Sequence, residues 1–188
     1  MKSIAVYCGS NKGKHPAFAK SASDLGIYMA QNNLELVYGA GNIGLMGTIA
    51  DAALQHNGVV TGVIPHFLKE LEVCHTELTH LFVVDSMHER KVEMTRLSDG
   101  AIILPGGFGT LDEFFEIVTL VQLEQTRQPI GILNVDGFYD HLLKHMDKMT
   151  EAGFVVPKHR SLIYDATDIA TLIEQMNNHT FEKVDKWY

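Results

Sequence analysis

The feature that most constrains this chain is a regular alternation of two kinds of segment. Short apolar runs stand at Ile4–Cys8, Leu34–Tyr38, Val59–Ile64, Leu81–Val84, Ala101–Leu104 and Ile130–Leu133. Most are apolar at every position, which is how parallel strands covered on both faces read. Leu162–Tyr164 is a shorter seventh candidate. Between the runs lie stretches of helical period: Pro16–Gln31, Ile43–His56, Met87–Leu97, Leu111–Leu123, Phe138–Glu151 and Asp168–Met176. Strand and helix in alternation, joined by short connections, predict an α/β fold. The expected form is a doubly wound parallel sheet of about six to seven strands with helices on both faces.

The length of 188 residues suits one domain spanning residues 1–188, with residues 177–188 read as a polar tail. The formal net charge of −8 argues against a long nucleic-acid footprint, which needs a basic stripe. It leaves room for one small anion in a local positive pocket. Cys8 and Cys74 form no CxxC pair, and no apolar run approaches the ~20 residues of a membrane span. A reduced, cytoplasmic protein is expected.

In a doubly wound sheet, ligands lie beyond the carboxyl ends of the strands. Four segments leave strands at that edge: CGSNKG from Cys8, YGAGNIGLMG from Tyr38, the loop ending in MHERK at Lys91, and LPGGFGTLDE from Leu104. All four are candidates for one site. Pro105-Gly-Gly-Phe-Gly-Thr-Leu-Asp-Glu113 joins a strand to a helix that starts near Gly109. Its glycines let the backbone approach a ligand, and the unpaired N–H groups and dipole of a helix start favour a phosphate. Thr110 can add a hydroxyl, and Glu113 is expected in the first helical turn. On local pattern alone, the same residues could make only a tight turn with a capping carboxylate.

Met87-His-Glu-Arg-Lys91 puts a planar fork of donors, Arg90, next to a compact cation, Lys91. Glu89 and Glu93 stand where they can pair with both, which would make the cluster a solvated one. Gly39–Gly44 reads G-x-G-x-x-G between strand and helix, the context of a dinucleotide fingerprint. The acidic residue expected ~20 residues on is missing, because Val59–Ile64 runs into Pro65-His66, so an NAD site is disfavoured. Close packing, or contact with one phosphate or base, is the expectation here. His141 and His145 stand i, i+4 without the glutamate of H-E-x-x-H and read as surface residues. No metal or organic cofactor is called for. Phe108 and the Phe114-Phe115 pair are expected to fill core or rim.

With these blocks in hand, the sequence resembles the Lonely Guy family, the cytokinin riboside 5′-monophosphate phosphoribohydrolases, whose members were often labelled lysine decarboxylases. The resemblance rests on P-G-G-x-G-T-x-x-E at Pro105–Glu113, M-H-E-R-K at Met87–Lys91 and G-x-G-x-x-G-L-M-G at Gly39–Gly47, and covers roughly residues 3 to 175. It implies a Rossmann-like fold, a homodimer, and hydrolysis of the N-glycosidic bond of an N6-modified adenosine 5′-monophosphate to free base and ribose 5-phosphate. It implies Arg90 and Glu113 as the catalytic pair. Substrate contacts would come from Glu72, Arg90, Lys91, Gly106, Gly107, Phe108, Gly109, Thr110, Leu111, Asp112, Glu113 and Thr119. Gly9, Ser10, Gly41, Gly44 and Met87 are further candidates for phosphate or base contacts. His80 stands where many relatives have Glu, at a strand start, and could alter a subunit contact. No motif marks a Schiff-base lysine. Two alternatives stay open: a nucleotide nucleosidase of other base preference, and a non-enzymatic nucleotide or pterin-cofactor carrier.

Overall fold

A computed structural model describes residues 1–71 and 74–181. Its strands are β1 (Ser3–Tyr7), β2 (Glu35–Tyr38), β3 (Val60–Pro65), β4 (His80–Val84), β5 (Gly100–Ile103), β6 (Ile130–Leu133) and β7 (Ile163–Ala166). Its helices are α1 (Pro16–Gln31), α2 (Gly44–Gln55), α3 (His66–Leu71), α4 (Met87–Arg96), α5 (Phe108–Gln122), α6 (Asp140–Glu151), α7 (Pro157–Arg160) and α8 (Ile169–Asn177). The seven strands form one sheet in the order β4-β3-β2-β1-β5-β6-β7, and every pairing is parallel.

Strand residues alternate between two cores, as the pleat requires. Ile4 and Val6 of β1 face a layer with Leu25 and Met29 of α1, Ile49 of α2 and Ile173 of α8. Ala5 and Tyr7 face the other layer, with Met94 of α4, Phe114 and Ile117 of α5, and Leu143 of α6. Both faces of the inner strands are therefore covered, and β3, β5 and β6 are buried at every position. This is why those runs carry no polar alternation. The edge strand β4 is different: His80, Leu81 and Phe82 are exposed.

Several boundaries differ from the sequence expectation. The helix expected at Phe138–Glu151 is a 3₁₀ turn at Val135–Gly137 followed by α6 from Asp140. Asn134, just before the 3₁₀ turn, ties it to the start of α6, its side chain accepting from the Tyr139 N–H at 2.8 Å and donating to Asp140 at 2.7 Å. The short helices α3 and α7 carry too few residues to show a period. Helix α8 runs to Asn177, so the polar tail starts after it; residues 182–188 lie outside the described residues.

The strand order reverses between β1 and β5, which pair directly through Ala5 and Ala101. Chains leaving those two strands depart to opposite faces, β1 toward α1 and β5 toward α5. That divergence opens a crevice at the carboxyl edge, the place where doubly wound sheets bind ligands.

Candidate active site

A cleft of about 530 Å³ fills this crevice. All four candidate segments contribute: Cys8–Gly13 after β1, Leu45 and Met46 after the β2 turn, Met87 and Arg90 of α4, and Pro105–Thr110 with Asp112 and Glu113. The first and last are tied together, because the Gly9 N–H donates to the Pro105 carbonyl at 3.0 Å. The Leu45 N–H donates to the Gly9 carbonyl at 3.0 Å, which fixes the second turn against the first.

Helix α5 starts at Phe108 with Gly107 as its N-cap, and no side chain caps it. Its first N–H groups have no partner within the helix, and the residues that carry them line the cleft. A Cβ on Gly107 or Gly109 would meet nothing within 4 Å, so the turn is open on the ligand side. Gly106 is closed instead: a Cβ there would run into the Thr110 side chain, which is itself buried. Phe108 is 94% exposed at the cleft mouth, a rim position, whereas Phe114 is fully buried in the core and Phe115 is partly exposed. Because α5 begins before Leu111, Glu113 lies in its second turn and not its first.

Glu113 is half-buried in the cleft wall. Desolvation raises its carboxyl to about 7, against the pull of Arg90, with Asp112 adding a smaller push upward. At neutral pH the site therefore holds a carboxyl close to its titration point, a property that marks working acids and bases. Burial also pushes the Cys8 thiol up, which leaves no thiolate to act as a nucleophile there.

Arg90 projects from α4, whose start is capped by Ser86 accepting from the Glu89 N–H at 3.1 Å. The Glu89 carboxylate returns to the Asp85 N–H at 2.9 Å, and Glu93 is taken by Arg96 at 2.6 and 2.8 Å. Neither glutamate pairs with Arg90 or Lys91 in the manner the sequence suggested. Arg90 is 6% exposed, and its Nη2 donates to the Gly39 carbonyl at 3.2 Å. Its Nε is buried without a partner in the protein. A buried guanidinium with spare donors on a cleft wall is set up to receive an anion or a polar ring.

Some sequence-assigned positions lie elsewhere. Lys91 is not among the lining residues and is held by Glu116 and by Asp112, the latter at 3.1 Å. Partial burial pulls its ammonium down, but those two carboxylates outweigh it and raise it. Thr119 is exposed two turns further along α5, its hydroxyl donating to the Phe115 carbonyl at 2.7 Å. Leu111, Gly41 and Gly44 are not among the lining residues. Glu72 lies outside the described residues. Sequence reasoning missed Leu68, Phe18 and Phe138 as lining residues, while Asn11 and Lys12 fall within the CGSNKG candidate segment. Phe18 and Phe138 meet edge to face at 5.3 Å, and both had been read only as helix positions.

Known proteins resemble this chain over most of its length. The family model described as "Possible lysine decarboxylase" matches residues 46–176. A cytokinin riboside 5′-monophosphate phosphoribohydrolase of Arabidopsis thaliana is 40% identical over 178 residues, covering 95% of this chain and 82% of that protein. A probable enzyme of the same name from Oryza sativa subsp. japonica is 42% identical over 176 residues, covering 94% and 78%. The chain belongs to the Lonely Guy family. Solved structures share the fold at lower identity. The molybdenum cofactor binding protein of Rippkaea orientalis superposes with a TM-score of 0.69 at 20% identity, covering 93% of this chain and 94% of that one. The molybdenum cofactor carrier protein of Chlamydomonas reinhardtii gives 0.68 at 17%, covering 94% and 98%. The decarboxylase description finds no footing in the cleft. Among the described residues its one lining lysine is Lys12, which is exposed on the loop after β1.

Proposed function

We propose that this protein hydrolyses the N-glycosidic bond of nucleoside 5′-monophosphates, with N6-modified adenosine 5′-monophosphate as the substrate class. The products are the free base, a cytokinin, and ribose 5-phosphate. The observation that carries the reading is the pairing, in one cleft, of an open helix start at Gly107–Thr110 with the half-buried Glu113 and the buried Arg90.

The 5′-phosphate docks on the N–H groups of the α5 start, where the helix dipole favours it. That contact positions the ribose beside Glu113, one turn along the helix, so phosphate binding energy is used for orientation. The C1′–N bond breaks with its electron pair going to the base, and positive charge builds on the sugar. The Glu113 carboxylate stabilises that charge and orients the attacking water. Water forms the new bond to C1′, and the proton it loses ends on the departing base. A guanidinium stays protonated across the working pH range, so Arg90 acts by hydrogen bonding and charge rather than by donating a proton.

The same reading makes the protein a cytoplasmic homodimer that needs no metal or organic cofactor. Val92 of α4, Phe115 of α5 and Leu123 just after α5 are exposed apolar groups on elements that cover the same face of the sheet, which supports packing against a second copy there. Lys91 and Thr119 lie on those same helices and do not line the cleft of their own chain, which fits a substrate contact made through a shared site. The acidic net charge speaks against a nucleic-acid partner.

The test is product analysis. Purified protein is incubated separately with AMP and with N6-isopentenyl-AMP, and free base and ribose 5-phosphate are resolved by chromatography. Base release from the prenylated nucleotide, faster than from AMP, is the expected result. Nucleotide binding without base release from either would replace hydrolysis by a carrier role.

A further inference from the structure

We propose that Gly39 is a positioning residue of this site: its missing side chain and its carbonyl oxygen together form the socket that seats the Arg90 guanidinium. The inference rests on the catalytic assignment of Arg90 made above. Among the described residues, Gly39 O is the one oxygen to which the Arg90 side chain donates. The other contact is weak, Nη1 lying 3.8 Å from the Met87 sulfur. The orientation of the guanidinium therefore depends on one carbonyl and on the space beside it.

That space exists because residue 39 has no Cβ. A Cβ built there would fall on Arg90 Nη2 and 2.8 Å from Cζ. The backbone gives no separate reason for glycine: Gly39 is not among the residues with positive φ, unlike Gly44 just after it. The obstructing atoms are the tip of a flexible side chain. Alanine at 39 would thus displace the guanidinium and leave the fold in place.

The socket is held firmly from its far side. Ala40 has φ 60, and its carbonyl accepts from the His75 N–H at 2.9 Å. Gly41 bridges to Cys74. The His75 ring is buried, with Nε2 3.0 Å from Asp51 of α2 and Nδ1 accepting from the Glu77 N–H at 3.2 Å. The turn after β2 is thereby anchored to α2 and to the segment before β4, and it presents Gly39 O toward α4 as a fixed acceptor. A glycine-rich turn after a parallel strand here cradles the protein's own cation, where in a dinucleotide fold it would cradle a pyrophosphate.

The test combines two readouts on G39A, R90A and the double variant G39A/R90A. The first reads the socket without activity. The buried Arg90 Nε–H gives a side-chain amide-region resonance in a ¹H–¹⁵N spectrum, assigned by its loss in R90A. In G39A it moves toward the position of exposed arginines or broadens away, with the backbone spectrum otherwise preserved. An unmoved resonance overturns the proposal. The second is a turnover cycle with N6-isopentenyl-AMP. G39A is expected to lose about 100-fold in kcat, the scale of a 1 Å misplacement, with nucleotide Kd changed by less than about threefold. In the R90A background G39A should cost less than about twofold more, because both changes act through one group. Fully additive losses would make Gly39 a merely structural residue and overturn the proposal. R90A with wild-type turnover would remove Arg90 from catalysis, a failure of the earlier reading that the resonance distinguishes from failure of the socket.

Discussion

Two glycine-rich turns leave β2 and β5, the strands on either side of β1, at the same sheet edge, and they are built for opposite purposes. The turn after β2, Gly39–Gly47, is closed. A Cβ at Gly39 would strike Arg90, one at Gly41 would press on Met46, one at Gly44 would enter the Ser10 backbone, and one at Gly47 would enter Asn42. Every missing side chain there is filled by the protein itself. The turn after β5 is open, with empty space beyond Gly107 and Gly109. Glycine density alone therefore says little about ligands. What matters is whether the vacated volume is occupied. The closed turn holds a cation in place, and the open turn offers unpaired N–H groups to an anion, so the two together define a polarity for the cleft.

The largest effect that would sharpen this contrast is at Glu113, beside the open turn. Glu113→Gln keeps the shape and removes the charge. We expect kcat to fall at least about 100-fold, with nucleotide affinity nearly unchanged because the helix start is intact. Equal losses in kcat and in affinity, measured by steady-state kinetics and calorimetry, would mean that the open turn does not bind independently of the carboxylate. Next in size is Gly44→Ala in the closed turn. Gly44 has φ +66, where a side chain is strained, and the new methyl would meet Ser10 backbone, which cannot swing aside. A loss of about 3 kcal/mol in urea denaturation is expected. Wild-type stability would break the picture of a turn packed solid.

The contrast was only half legible in the sequence. Strand runs such as Ala101–Leu104 and Ile130–Leu133 stood out because double burial removes polar alternation, and the stretch Pro16–Gln31 coincides with α1 at both ends. The candidate pair Arg90 and Glu113 was legible through motif spacing. The occupant of the Gly39 turn was not, since Arg90 is 51 residues away and reaches it only through the β2-β3 and β3-β4 pairings. Lys91 illustrates the same limit: its neighbours in sequence are Arg90 and Val92, but its charge partners are Asp112 and Glu116 on another helix. Phe18 and Phe138 read as ordinary helix positions because only the third dimension brings them edge to face in the cleft wall.

A pH series separates the charge of the site from its shape. Glu113 titrates at about 7, above its ordinary 4.5, because desolvation disfavours the carboxylate. A carboxylate role means that kcat/KM rises with pH through about 7 and levels off above it. The stability consequence has the opposite sign. Ionising a carboxyl whose folded pKa is raised costs stability, a cost that begins above 4.5 and is complete above about 7. The melting temperature of Glu113→Gln should therefore overtake that of the wild type across that window and stay ahead at pH 8. A constant offset from pH 4 to pH 8 would show that Glu113 is solvated and that its titration is ordinary.

The smallest effect is expected at Gly107, and it is the most direct probe of openness. Its φ of −100 is accessible to any residue, and an added Cβ meets no atom of the protein. Gly107→Ala should consequently change stability by less than about 1 kcal/mol, with a gain as the expected direction because the unfolded chain loses freedom. The methyl would instead stand beside the N–H groups that receive the phosphate, so the Kd for ribose 5-phosphate should weaken by about three- to tenfold. The pairing of the two numbers is what carries the argument. A destabilisation comparable to that of Gly44→Ala would show the turn after β5 to be as closed as the turn after β2. Unchanged stability with unchanged ribose 5-phosphate affinity would move the phosphate away from the α5 start, and with it the reason for Glu113 to lie one turn along that helix.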